Sequence, residues 1–196
     1  MAKLRSFIAL PIPDRLKTEI AVMIEEFTRE FSNVSAPLPI KWVSRENLHI
    51  TLVFLGEISS DFLNKTQDIL KELTKTVTPF KVQLRGLGAF PNPRSARVVW
   101  IGIKEGAEQI SYFQNKLEEA LMTIGYKPEE RKFHPHLTIG RIKVPLTGPN
   151  KEKFLKILET NYQSEVFPIN NVILFKSTLT PSGPIYEIIK EFPLGV

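Results

Sequence analysis

The sequence predicts an α+β fold with two lobes related by a pseudo-twofold axis, in which antiparallel sheets line a central cleft and helices lie outside. The pattern His-x-Thr-x occurs twice, at His49 and at His136, which is 87 positions later (136 minus 49). Each copy lies in a short apolar, β-branched run that is typical of a buried strand. The elements around the two copies follow the same order. We therefore predict one bilobal domain over residues 1–196, an internal duplication with halves of about 1–92 and 93–196.

In the first half, the predicted order is strand, helix, histidine strand, helix, strand. The first strand ends at Pro11, because proline cannot donate a hydrogen bond to a sheet. A helix begins near Asp14, with apolar residues at three- and four-residue spacing. The histidine strand is closed by Gly56, and a second amphipathic helix begins near Ser59. The predicted strands of this half are residues 4–10, 48–55 and 80–87, with a proline-rich loop at 33–39.

The second half repeats this order and ends with one extra strand. A third amphipathic helix ends at Gly125, a residue type that is common just after a helix. A shorter fourth helix contains Phe154 and Leu158. The predicted strands of this half are residues 97–103, the histidine strand from His136, and residues 166–176 and 185–189, with a charged loop at 126–133 and a turn at 180–184.

Composition limits the class of protein. The chain has 26 Lys and Arg against 21 Asp and Glu, a net charge of +5 that suits an anionic ligand. It has no cysteine, which excludes disulfides, thiolate metal sites and a cysteine nucleophile. No apolar run approaches the roughly 20 residues that span a bilayer, and the apolar run at residues 7–10 is too short for a signal peptide. We expect a cytoplasmic monomer that does not bind membranes.

The repeated motif suits phosphodiester chemistry. Residues i and i+2 of a strand point to the same face, so each strand presents one imidazole beside one hydroxyl. Histidine can act as acid or base near neutral pH because its ordinary pKa is ~6.5. Two such strands across a cleft would offer one base, one acid and two hydroxyl donors for phosphate oxygens. A single His-x-Thr is most often structural, but two copies at equivalent places indicate catalysis.

The residues around both motifs resemble a known family. The runs NLHITLVFLG at 47–56 and FHPHLTIGR at 133–141 are similar to the two-histidine phosphoesterase superfamily, and within it to the RNA 2′,3′-cyclic phosphodiesterases, also called 2′-5′ RNA ligases. The runs RSFIAL at 5–10 and FKSTL at 175–179 extend the resemblance over nearly the whole chain.

The resemblance implies a metal-independent enzyme without a cofactor. It would open a terminal 2′,3′-cyclic phosphate on RNA to leave a 2′-phosphate, with reversible 2′-5′ ligation as a second reaction. Its partner would be RNA with a cyclic phosphate end, or a small cyclic nucleotide. His136 would activate the attacking water, and His49 would protonate the departing 3′ oxygen. The implied substrate-binding residues are Thr51, Thr138, Arg141 and Phe54.

Two points stay open from the residues alone. Phe54 and Arg141 each follow a histidine by five positions, an odd number, so strict strand alternation predicts that they face away from the cleft. Gly140 would permit a bulge that turns Arg141 back, whereas for Phe54 a core position is an equal alternative. His134 and His136 form a His-x-His pair, but no further ligand lies at a fixed distance, so we predict no metal site.

Two other functions remain as alternatives. The same site could act on a linear 2′-5′ linkage, an ADP-ribose cyclic phosphate or another small nucleotide. The protein could also be a module that binds RNA ends without turning them over. No Gly-x-x-x-x-Gly-Lys loop is present in the sequence, so an ATP-driven ligase has no support.

Overall fold

The computed structural model describes residues 3–32, 39–181 and 183–195. The predicted loop at 33–39, apart from residue 39, and the turn residue Ser182 lie outside the described residues. In chain order the elements are β1 Leu4–Pro11, α1 Asp14–Ser32, β2 Ile40–Trp42, β3 His49–Ile58, α2 Ser60–Lys75, β4 Phe80–Phe90, β5 Val98–Glu105, α3 Ala107–Met122, β6 His136–Ile142, α4 Gly148–Leu158, β7 Phe167–Ile169, β8 Asn171–Thr180 and β9 Gly183–Pro193. Short 3-10 turns lie at Arg45–Asn47 and Pro93–Ser95.

The strands form two antiparallel sheets. One has the order β3-β1-β8-β9, and the other has the order β2-β6-β5-β4-β7. The predicted α+β class with two antiparallel sheets is confirmed. Each histidine strand lies beside the first strand of its own half, whereas the next strand in each sheet, β8 or β4, comes from the other half. The sheets therefore mix the two predicted halves, and the duplication itself stays a prediction.

The helices bury one apolar face, as their spacing predicts. In α1 the buried positions include Leu16 and Ile20, which are fully inaccessible to solvent. Helix α2 is capped by Ser59, whose hydroxyl accepts a hydrogen bond from the Phe62 amide at 3.2 Å. It packs against β8 and β9, α4 packs against β4, and α3 contacts both β3 and β5. Within the described ranges, no helix is long and apolar enough to cross a membrane.

Several predicted strand boundaries are wrong: β4 continues past residue 87 to Phe90, and β9 runs over Gly183–Pro193 instead of 185–189. Two further departures change the course of the chain. Strand β3 continues past Gly56 to Ile58, because the glycine adopts a φ of +69° and allows an irregular pairing with β1 where the strand was expected to stop. The predicted strand 166–176 is two strands, β7 on β4 and β8 on β1, so the chain passes from one sheet to the other between them. Both departures depend on partner strands that are distant in the sequence.

Candidate active site

The two histidine strands face each other across the cleft between the sheets. Strand β3 is the edge strand of its sheet and pairs with β1, so that Thr51 lies opposite Ala9. Strand β6 pairs with β5 in the same way, so that Thr138 lies opposite Trp100. Strands β3 and β6 also contact each other directly. The two His-x-Thr motifs therefore meet at the seam between the sheets.

A bulge interrupts each histidine strand just after its threonine. The pairing shifts by one residue between Thr51 and Val53 on β3, and between Thr138 and Gly140 on β6. Two consecutive residues are consequently buried in each strand: Leu52 with Val53, and Ile139 with Gly140. This extra residue reverses the alternation of the side chains that follow it, to the end of β6 and, in β3, as far as the second shift in pairing next to Gly56.

The bulges return Phe54 and Arg141 to the cleft face. Both side chains are exposed, and both line the cleft cavity. The alternative that Phe54 belongs to the core is wrong, because 47% of its surface is accessible. Gly140 lies at the bulge in β6, as expected for Arg141, and a side chain there would come within 2.9 Å of the Trp42 ring.

The cleft contains a cavity of about 780 Å³, which is large enough for a nucleotide. Five of the six predicted site residues line it: His49, Thr51, Phe54, Thr138 and Arg141. His136 is half-buried beside the cavity but does not line it. Thr138 and Arg141, which follow it on the same face of β6, line the cavity. The His136 ring therefore lies on the β6 side of the cavity.

The His49 ring is fixed by hydrogen bonds at both nitrogens. Nδ1 lies 2.7 Å from the carbonyl oxygen of Asn47, and Nε2 lies 3.0 Å from the Thr51 hydroxyl. The ring stacks on Phe7 at a centroid distance of 4.8 Å, and Tyr186 meets its edge at 5.4 Å. The orientation of His49 is therefore set by packing as well as by hydrogen bonds.

The His136 ring is held in the same manner at Nδ1. Its Nδ1 lies 2.7 Å from the carbonyl oxygen of His134, again the residue two positions earlier. Phe90 meets the ring edge-on at 5.0 Å, and Trp100 lies at 6.3 Å. Because a carbonyl oxygen can only accept, Nδ1 carries the proton in both histidines. Each neutral ring consequently keeps a lone pair on Nε2, which can accept a proton.

Burial sets the protonation state of His49. It is the largest of the effects that together lower the pKa of His49 from the ordinary value of 6.5 to about 4, and the nearby positive charges of Lys17, Arg141 and His136 act in the same direction. The hydrogen bond to the Asn47 carbonyl acts in the opposite direction and raises the pKa. With no anion bound, His49 is therefore neutral at pH 7.

Burial also lowers the pKa of His136. The hydrogen bond to the His134 carbonyl raises it, and the charges of His134, Arg141 and Arg131 lower it. The positive charge of Arg141 lowers the pKa of both histidines, and a charge on His136 lowers the pKa of His49. The protonation of each histidine therefore depends on the other charges in the site.

Sequence reasoning assigned no role to several residues around the cavity. Phe7 supports His49 from the neighbouring strand, and Asn47 supplies the carbonyl that holds its ring. The β8–β9 hairpin forms a further wall through Ser177, Leu179 and Pro184. The sequence signalled Phe7, Asn47, Ser177 and Leu179 only by their position inside the runs that resemble the family, and it gave no signal for Pro184, which lies in the predicted turn at 180–184.

The metal prediction concerned the pair His134 and His136. Across residues 3–32, 39–181 and 183–195, no group of three or more His, Asp or Glu side chains is placed to hold a metal ion. His134 is exposed, and its ring packs at 5.7 Å from Phe90 and 5.3 Å from Trp100. That the activity does not require a metal ion stays a prediction, which an assay in chelator tests.

Comparison with known proteins agrees with the geometry. The model of the family described as LigT-like phosphoesterase matches residues 15–100 and again residues 101–186. A protein of Methanocaldococcus jannaschii named RNA 2′,3′-cyclic phosphodiesterase is 39% identical over 190 residues, covering 96% of this chain and 100% of the relative. A protein of the same name from Archaeoglobus fulgidus is 37% identical, covering 96% of this chain and 99% of the relative.

Solved structures share the fold. The protein TT0787 of Thermus thermophilus superposes with a TM-score of 0.78 at 25% identity, over 97% of this chain and 98% of that chain. The E. coli LigT structure complexed with 3′-AMP has a TM-score of 0.74 at 23% identity, over 98% of each chain, and shows the common fold alone. With two consecutive matches to one family model and relatives at 37–39% identity over almost the full length, the resemblance of the two motifs is confirmed, and the chain belongs to the LigT-like phosphoesterase family.

Proposed function

We propose that this protein hydrolyses the terminal 2′,3′-cyclic phosphate of RNA to a 2′-phosphate. The observation that carries the proposal is the pair of histidines on facing strands, each with Nδ1 held by a backbone carbonyl, so that Nε2 is the nitrogen that can exchange a proton; in His49 the Thr51 hydroxyl lies 3.0 Å from it. The names of the relatives at 30–39% identity support the same reaction.

The reaction needs one proton acceptor and one proton donor. The oxygen of water attacks phosphorus while Nε2 of His136 takes a proton from that water. The bond between phosphorus and the 3′ oxygen breaks, and Nε2 of His49 gives its proton to the leaving oxygen. The products are a 2′-phosphate and a 3′-hydroxyl. One proton has moved onto His136 and one has left His49, and exchange with solvent restores both rings.

The substrate itself supplies the charge that makes His49 an acid. The pKa of His49 is about 4 without ligand. A phosphodiester anion about 4 Å away interacts with a protonated ring by roughly 4 kcal/mol at an effective dielectric constant of ~20. Since one pKa unit corresponds to about 1.4 kcal/mol, this interaction is enough to bring the pKa of His49 back to ~7. Binding and protonation are therefore linked.

The other predicted residues hold the substrate. Thr51 and Thr138 lie two residues after each histidine on the same face, where their hydroxyls donate to the non-bridging phosphate oxygens. Arg141 supplies a guanidinium for the phosphate charge. Phe54 offers an exposed ring in the cavity wall for the nucleoside.

The test is incubation of a short RNA bearing a 2′,3′-cyclic phosphate end with the purified full chain in excess chelator. We expect a 2′-phosphate and no 3′-phosphate. His49→Ala and His136→Ala should each lower turnover by about 10²- to 10⁴-fold, because each removes one proton-transfer step. Tyr112→Ala, an exposed aromatic on α3, is the control and should keep wild-type turnover.

Three results would overturn the proposal. Wild-type turnover in either histidine variant would remove the acid–base pair. A 3′-phosphate product would show that the 2′ oxygen, and not the 3′ oxygen, is the leaving group. Tight binding of the RNA end with no product under single-turnover conditions would identify a binding module.

The substrate range is tested with three further compounds in the same assay. These are adenosine 2′,3′-cyclic phosphate, a 2′-5′-linked diadenosine and an ADP-ribose cyclic phosphate. If one of them is turned over faster than the RNA end, the protein is a phosphodiesterase of another nucleotide. Ligation uses the reverse reactants, a cyclic phosphate end and a 5′-hydroxyl, and we expect hydrolysis to dominate because water is in large excess.

We further propose that the chain acts as a cytoplasmic monomer and arose by internal duplication, with halves of about 1–92 and 93–196. The two consecutive matches of one family model, at residues 15–100 and 101–186, support the duplication. Sedimentation equilibrium of the purified chain tests the monomer, and a mass of two chains would refute it.

A further inference from the structure

One residue, Asn47, joins the first histidine to the β8–β9 hairpin that lines the cavity. Asn47 ends the 3-10 turn Arg45–Asn47, immediately before β3. Its backbone carbonyl accepts the hydrogen bond from Nδ1 of His49 at 2.7 Å. Its side-chain amide donates to the carbonyl oxygen of Pro184 at 2.9 Å, across 137 positions of sequence. The same residue therefore holds the imidazole and the start of β9.

The turn that carries Asn47 is anchored on its other side as well. Arg45 donates from Nε to the Thr18 hydroxyl of α1 at 3.0 Å. The three-residue turn is thus tied to α1 at its first residue and to the β8–β9 hairpin at its last. Backbone hydrogen bonds from Asn47 to Ser44 at 2.9 Å and from Leu48 to Arg45 at 3.3 Å shape the turn, and the two side-chain ties add to them in setting where the Asn47 carbonyl points.

The hairpin is in a position to contact substrate. Its residues Leu179 and Ile185 line the cavity, with 67% and 54% of their surfaces exposed. Tyr186, the next residue of β9, lies edge-on to the His49 ring at 5.4 Å. The start of β9 consequently contacts His49 in two ways: directly through Tyr186, and through the Pro184 carbonyl and Asn47.

We propose that Asn47 is a positioning residue, whose side chain couples the β8–β9 hairpin to the orientation of the His49 ring. The inference rests on the proposed function, in which His49 donates the proton to the leaving oxygen. Without the amide, the turn is free of the hairpin and its carbonyl no longer holds Nδ1 in one place. The ring then populates the tautomer with the proton on Nε2, and the acid loses its alignment with the leaving oxygen.

The first measurement is the ¹⁵N NMR spectrum of the histidine rings in the full-length protein, which has only three histidines. In the wild type we expect neutral His49 with its proton on Nδ1. In Asn47→Ala, and in the similarly sized Asn47→Leu, we expect a clear population with the proton on Nε2. Asn171→Ala is the matched control, since it removes an asparagine hydrogen bond to Glu191 at the far end of the same hairpin. It should keep the wild-type spectrum.

The second measurement is the pH profile of kcat. Both Asn47 variants should lower kcat by about 2- to 13-fold, the value of one hydrogen bond. The alkaline limb should move to lower pH, because the bond to the Asn47 carbonyl raises the pKa of His49. The other groups that act on His49 are Lys17, Arg141, His136 and Tyr186, and all are retained in the variants.

The result that would overturn the inference is a wild-type tautomer in both Asn47 variants, whatever their turnover. A loss of kcat with an unchanged alkaline limb would also overturn it, because that pattern indicates a structural role alone. The NMR measurement needs no substrate. If the wild type fails to turn over the RNA end, the proposed function fails while the coupling is still decided by the spectra.

Discussion

Because His49 is buried in its neutral form, the folding stability depends on pH. A single substitution of His49 can separate its contribution from those of the other groups. In the folded protein the pKa of His49 is about 4, against 6.5 for an unburied ring. Between these values the unfolded chain binds more protons than the folded chain, so folding stability rises with pH. The contribution of His49 is fully present above pH 6.5 and is lost as the pH falls toward 4.

The magnitude follows from the two pKa values. The slope approaches about 1.4 kcal/mol per pH unit inside this window. Integrated for one site, the free energy of unfolding falls by about 2 kcal/mol between pH 7.5 and pH 5. His49→Asn removes the titrating group and keeps an amide that can donate to the Asn47 carbonyl. Between pH 7.5 and pH 5, the free energy of unfolding of the variant should therefore fall by about 2 kcal/mol less than that of the wild type.

Urea unfolding followed by circular dichroism at pH 5, 6 and 7.5 measures this difference. The carboxylates and His136 titrate in both proteins, so their effects largely cancel in the comparison. Tyr112→Phe, a substitution at an exposed position on α3, should keep the wild-type pH dependence. Equal slopes in wild type and His49→Asn would show that the ring does not titrate with a lowered pKa in the folded state, and would refute the reasoning.

Three further outcomes are expected. Thr51→Val and Thr138→Val should each lower kcat/KM on the RNA end by about 13- to 160-fold, the loss of one hydrogen bond to a charged group. A loss above about 10³-fold would contradict this. The alkaline limb of kcat should lie at higher pH than that of kcat/KM, because bound phosphate raises the pKa of His49; coincident limbs would contradict it. Gly140→Ala should lower the free energy of unfolding in urea by about 1–3 kcal/mol, since its Cβ would lie 2.9 Å from both Ile40 and Trp42. Unchanged stability would show that both side chains move aside without cost.

Much of the fold could be predicted because its signals are local. Helix α1 reads directly from apolar spacing, and Leu16 and Ile20 are fully buried as that spacing requires. Both histidine strands follow from short apolar runs. The start of α2 follows from Ser59, whose hydroxyl caps the helix. These elements depend on residues that are close to each other in the sequence, so a local pattern is enough to predict them.

The features that could not be predicted depend on distant parts of the chain. The exchange of β4 and β8 between the sheets depends on which strands pair. The sequence of neither strand indicates its partner. The contact of Asn47 with Pro184 spans 137 positions. The lowered pKa of His49 comes first from burial, which is a property of the assembled cleft. Sequence patterns thus identified the residues on the two histidine strands that line the cavity, but not those contributed by β1 and the β8–β9 hairpin.

The bulges explain how two similar strands can make an asymmetric site. Before the bulge, β3 and β6 present the same pair, a histidine and a threonine. After it, the reversed alternation returns one more side chain to the cleft, which is Phe54 on β3 and Arg141 on β6. Strict alternation would bury that position and force it to be apolar in both strands. Because the bulge exposes it, one copy carries an aromatic ring and the other a cation, so the cleft offers an apolar surface from one strand and a positive charge from the other.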